Sequence, residues 1–64
     1  MFRVQTELPC GAVSVGVEKT EQEAAIKVFD SFVRQIQAFP ADYVADVILS
    51  EDGVEMKREH VHAA

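Results

Sequence analysis

The chain has 64 residues, 11 acidic against 6 basic, for a net charge of −5. So few Lys and Arg exclude the clustered positive charge that nonspecific nucleic-acid binding needs, and a single cysteine, Cys10, excludes an intramolecular disulfide framework. An apolar fraction of 48% suits a globular domain rather than a disordered tail, and no apolar run reaches the length of a membrane span.

One small α+β domain over residues 1–64 is expected. A chain of this size buries only about 60% of its unfolded surface, so its stability is marginal. No charged segment followed by an apolar core opens the chain, so no signal peptide is expected and the cytoplasm is the default location.

Phe2 to Leu8 alternates. Phe2, Val4, Thr6 and Leu8 share one face, and Arg3, Gln5 and Glu7 the other, the period of a half-buried strand. In Leu8-Pro9-Cys10-Gly11, proline second and glycine fourth fit a type I turn closing into a bulge. Ala12 to Glu18 alternates again with Val13, Val15 and Val17 together, which completes a β-hairpin. Gly16 interrupts this second strand. A bulge or local twist is its simpler explanation, and a close approach by another backbone the alternative.

Thr20 and Glu23 have capping-box spacing. Ala25, Phe29, Phe32, Ile36 and Phe39 then recur at the spacing of one helical face, with Val28 flanking it on one side and Ile26 and Val33 on the other. Glu23–Lys27 and Asp30–Arg34 are acid-first pairs on the opposite face. Pro40 disfavours the α conformation at Phe39 and is expected to end the helix, with Ala41-Asp42 as a short connection.

Tyr43 to Leu49 reads as a third strand, with Tyr43, Ala45, Val47 and Leu49 on its more apolar face and Val44, Asp46, Ile48 and Ser50 on the other. Asp52-Gly53 favours a type I′ turn. Counting from that turn sets Leu49 opposite Met56 on the core side and Ile48 opposite Lys57 on the outer side. A bulged turn sets Asp46 opposite Arg58 instead; the first register is preferred because it places Met56 beside Leu49. The fourth strand, Val54 to about Val61, turns polar at Lys57, Arg58, Glu59 and His60, as an exposed edge requires. His62, Ala63 and Ala64 are expected to fray.

The order is ββαββ: a two-layer α+β fold with a four-stranded, mainly antiparallel sheet and one helix packed on one face. Sheet order 2-1-3-4 makes every contact antiparallel and is preferred to 1-2-3-4, which needs one parallel contact. The expected core holds Phe2, Val4, Leu8, Val13, Val15, Val17, Ala25, Phe29, Phe32, Ile36, Phe39, Val47, Leu49 and Met56.

Chemistry is sparse. His60 and His62 share a strand face, but a metal site takes three or four ligands, so no metal site is expected. Cys10 serves as a nucleophile only with a base beside it, which requires the fold to bring His60 or His62 to the turn. Asp46 and Glu59 are candidates to face each other across strands. The glycines form no phosphate loop. No catalytic residue, cofactor or enzymatic activity is expected.

The compact ββαββ order, the acidic balance, the lack of disulfides and the lack of a catalytic motif together resemble the small acidic inhibitors that phages make against host defence, including anti-CRISPR proteins. The resemblance spans the whole chain without a shared motif. It implies a stoichiometric blocker whose carboxylates occupy a basic nucleic-acid-binding surface of a protein partner, with no direct contact to nucleic acid or membrane. The candidate partner contacts are Glu18 and Glu21 at the helix start, Glu51, Asp52 and Glu55 around the second hairpin, and Val44 and Ile48 on the outer sheet face. The alternative is a structural module, such as a homodimer joined through the outer face or an edge strand.

Overall fold

The first alternating stretch forms strand β1, Phe2–Glu7, and the apolar-periodic stretch forms helix α1, Gln22–Gln37. Between them lies a short strand β2, Val17–Lys19, and after them β3, Val44–Glu51, and β4, Val54–His62. This computed structural model describes residues 1–39 and 42–63. Pro40, Ala41 and Ala64 lie outside the described residues, and with them the reading of Pro40 as the helix stop. The four strands make one antiparallel sheet in the order β2-β1-β3-β4, with α1 across one face. The ββαββ order and the two-layer α+β architecture are those the sequence pattern predicts.

The first hairpin turns as its chemistry dictates. Gly11 N–H donates to the Leu8 carbonyl and Leu8 N–H to the Ala12 carbonyl, both at 2.9 Å, with Gly11 at φ +93°. That turn places Ser14 opposite Thr6, where its N–H reaches the Thr6 carbonyl at 2.9 Å. Continued without interruption, the same count would set Gly16 opposite Val4 and turn Val17 outward. Instead Val17 pairs with Val4, and Val15 and Gly16 together stand opposite Gln5. This bulge corrects the expected seven-residue second strand: only Val17–Lys19 forms the ladder. Val13 and Val15 are 49% and 87% exposed and leave the expected core.

Helix α1 begins one residue later than the capping box requires. Glu21 is the N-cap and its carbonyl accepts from Ala25 N–H at 3.1 Å, with no side-chain cap bond, so the Thr20–Glu23 box is not formed. The helix closes at Ala38, whose N–H reaches the Arg34 carbonyl at 3.1 Å. Ala25, Phe29 and Ile36 are buried, Val28, Phe32 and Val33 are half-buried, and Phe39 is exposed against the edge of the Tyr43 ring.

The second hairpin has its type I′ turn, with φ +49° at Asp52 and +84° at Gly53. Glu51 pairs with Val54 and Ser50 with Glu55, the register counted from the turn. A bulge then shifts the ladder, so that Leu49 pairs with Lys57, Ile48 with Arg58 and Asp46 with His60. Neither expected register survives beyond the turn. Met56 becomes the extra residue, 48% exposed rather than in the core. The reason lies further along the strand. The turn register would have carried Arg58 and His60 onto the core face opposite Val47 and Ala45, and Val61 outward. The bulge reverses all three, and Val61 packs in the core at 3% exposure. Lys57 now lies on the helix side, its ammonium 4.7 Å from the centre of the Phe29 ring.

The core is Phe2, Val4, Ala25, Phe29, Ile36, Ala45, Val47, Leu49 and Val61. The end of β4 is held rather than frayed at Ala63, whose N–H donates to the Tyr43 carbonyl at 2.8 Å.

Candidate functional site

The outer sheet face carries a charged cluster built on the shifted β3–β4 register. Arg58 Nη1 donates to Glu7 Oε1 and to Asp46 Oδ2, both at 2.7 Å. Its Nε and Nη2 fork onto the two Glu55 oxygens at 3.2 and 2.9 Å. His60 Nδ1 stands 2.7 Å from Asp46 Oδ1, and the His60 and His62 rings meet edge to face at 4.9 Å. Asp46 therefore faces His60, and Glu59 lies opposite Val47, which corrects the expected Asp46–Glu59 pairing.

Ile48 lies between Gln5 and Arg58 in this face and is only 8% exposed. A long arginine stem covers apolar surface while its head stays polar. Ile48 is thus part of the sheet's own packing and offers little surface to a partner; Val44 beside it is half-buried.

The electrostatics follow from the geometry. The hydrogen bond to His60, then that to Arg58, holds the Asp46 carboxyl below its ordinary value, and Arg58 does the same to Glu55. Glu55, Glu7 and Asp46, in that order, push the Arg58 guanidinium further toward its charged form. Carboxyls with lowered folded-state values stabilise the fold above their unfolded values of 3.8 and 4.5 and lose that contribution as pH falls through the folded ones. Between about pH 5 and pH 3 the parent is expected to lose stability more steeply than Arg58→Met, which frees Glu55 and leaves Asp46 only its histidine. Urea midpoints across that range measure the difference, and parallel curves would show that the cluster is not coupled to folding.

A second charged region forms at the other end of the sheet. Arg3 pairs across the ladder with Glu18 on one side and Ser50 on the other, and Phe2 with Lys19 and Glu51. Arg3 Nη2 is 3.1 Å from Glu18 Oε2, and the Met1 ammonium donates to Asp52 Oδ1 at 2.9 Å, which raises its pKa. Met1, Arg3, Glu18, Ser50, Asp52 and Gly53 line a hollow of about 320 Å³. Thus the fold brings Glu18, Glu51 and Asp52 from separate hairpins to one end, where α1 also begins with Glu21 exposed. Glu55, opposite Ser50, lies in the same ladder row as Arg3 and Glu18, but its carboxylate is held by Arg58.

Two further hollows border the sheet. One, of about 240 Å³, lies between the Pro9–Gly11 turn and the Asp46–His60 pair. Cys10 is exposed and not among its lining residues. The other, of about 310 Å³, opens beside the Val15–Gly16 bulge and is lined by Thr6, Gly16, Phe32, Ile36, Phe39 and Tyr43, among others. Among the described residues no three His, Cys, Asp or Glu side chains gather into a metal-binding group, and no helix is long and apolar enough to cross a membrane.

Sequence reasoning brought Arg58 to Asp46 only in the bulged-turn register that it set aside, and missed its contacts with Glu7 and Glu55. Residues three apart on an unbroken strand face opposite ways, so the Arg58 contact with Glu55, like those with Glu7 and Asp46, depends on the bulge at Met56 that no local pattern marks. Comparisons with protein-family models, curated proteins and solved structures give no match.

Proposed function

We propose that this chain is a non-catalytic binding module whose acidic sheet end engages a basic surface of a protein partner. The reading extends to the nucleic-acid-binding face of a host defence protein, as its resemblance to phage-encoded inhibitors such as the anti-CRISPR proteins implies. One observation supports it: Glu18, Glu51 and Asp52, distant in sequence, share one end of the sheet beside Glu21. Arg3, Lys19 and the Met1 ammonium offset part of that charge, while Glu21 has no ion-pair partner among the described contacts. An acidic excess at one end steers a complementary partner and raises the association rate more than the affinity.

The test is salt dependence combined with charge reversal. The immobilised protein is expected to retain basic nucleic-acid-binding proteins from a host lysate at low salt and to release them as salt rises, since screening shortens to about 8 Å at physiological ionic strength. Exposed pairs contribute roughly 0–1 kcal/mol each, so no single change should abolish binding. Reversing Glu18, Glu51 and Asp52 together is expected to slow association at least tenfold, whereas Glu55→Gln, whose carboxylate Arg58 already engages, should leave it near the parent value. Retention without a basic bias, or an association rate indifferent to the triple reversal, sinks the reading.

A further inference from the structure

The outer edge of β4 is the longest free edge in the described fold. All nine of its residues except Val61 are exposed, and β3 pairs with only one side of it. The shifted register turns Lys57 and Glu59 toward the helix side, because their ladder partners Leu49 and Val47 are core residues.

Charges pointing to that side of an edge strand ordinarily discourage pairing. Here their spacing reverses the effect for one particular partner. If β4 pairs with β4 of a second copy in antiparallel fashion about a two-fold axis, each register is set by the residue on the axis. Centred on Lys57, lysine meets lysine and Glu55 meets Glu59. Centred on Glu59, glutamate meets glutamate. Centred on Arg58, Lys57 of each copy lies opposite Glu59 of the other, twice, and directly opposed charges of this kind stabilise a strand pair. Arg58 itself faces its symmetry mate in that register, but its guanidinium is already held by Glu7, Asp46 and Glu55 within its own sheet.

The helix adds apolar area beside the same edge. Phe29 touches Lys57, whereas Phe32 and Phe39 border the hollow on the β1–β2 side. The flank of α1 that looks over β4 is therefore the one carrying Ile26, 40% exposed, and Val33, half-buried. Two copies joined edge to edge set these flanks side by side on one face of a continuous sheet.

We propose that β4 is a self-association edge, and that two copies pair antiparallel about Arg58 through reciprocal Lys57–Glu59 contacts. A contact of this extent belongs with the small specific interfaces, below about 1,200 Å², so the dimer is weak and reversible. Sedimentation across micromolar to high-micromolar protein is expected to show a monomer–dimer equilibrium. Lys57→Glu and Glu59→Lys should each weaken the dimer at least tenfold, and the double swap should restore it, since it rebuilds both pairs with reversed sign. Circular dichroism checks the fold of each variant. Lys57→Glu disturbs the contact over Phe29, while Glu59→Lys changes an exposed residue and keeps the test decisive. A chain that stays monomeric leaves the edge to some other protein's strand and overturns the self-pairing. So does a dimer that survives both single changes, or a double swap that stays monomeric.

Discussion

Phe29→Ala is expected to cost about 3–5 kcal/mol and to leave the chain largely unfolded at room temperature. Phe29 is 1% exposed and is the largest fully buried side chain, packed beneath the helix where Val4 and Val47 fill the sheet's inner face. Truncation leaves a cavity that a sheet tied by ladders on both sides of β1 and β3 cannot close. A domain this small has only a few kcal/mol to lose. Phe32, on the same stripe, is half-buried at the edge of the α1–β2 hollow, so Phe32→Ala should cost markedly less. Thermal or urea unfolding measures both, and a Phe29→Ala chain that melts like the parent would place the helix in a different rotation from the one described.

Gly16→Ala is expected to cost about 2–4 kcal/mol through two separable effects. The residue sits at φ +85°, where an L side chain is strained, and a Cβ there would lie 2.5 Å from the Val4 carbonyl oxygen, a backbone atom in the middle of β1. Gly11 supplies the control. It has a similar φ of +93° with nothing within 4 Å of a built Cβ, so Gly11→Ala should show only the backbone part, about 1–2 kcal/mol. Equal unfolding midpoints for the two variants would mean that the bulge shifts to admit the methyl group and does not hold β2 against β1. The expected inequality would identify the bulge as the device that keeps Val17 in register with Val4.

The candidate surfaces were legible to different degrees. Glu18, Glu51 and Asp52 were recognisable as exposed acids from turn and cap positions alone, yet that they share one end follows from β1 lying between β2 and β3. Ile48 was legible as an outer-face residue by alternation. Its coverage was not, because the arginine that covers it arrives through a shifted ladder.

Local chemistry determined the elements. Alternation marked β1 and β3, a helical stripe marked α1, and Pro9-Cys10-Gly11 and Asp52-Gly53 marked the two turns, because each of these depends on neighbours only a few residues away. What only the tertiary structure decided was the register beyond each turn. In both hairpins the turn sets one count and the core demands another. Val17 must face inward opposite Val4, and Val61 opposite Ala45, while Glu18, Arg58 and His60 must reach charged partners on the outer face. One extra residue in each hairpin absorbs the conflict. Since a slip of one position exchanges the two faces of a strand, the first turn's count leaves Val13 and Val15 outward and its bulge brings only Val17 back in, while the second bulge turns Met56 to solvent and Lys57 to the helix. That outcome weighs contacts across the whole sheet, and no local pattern contains it.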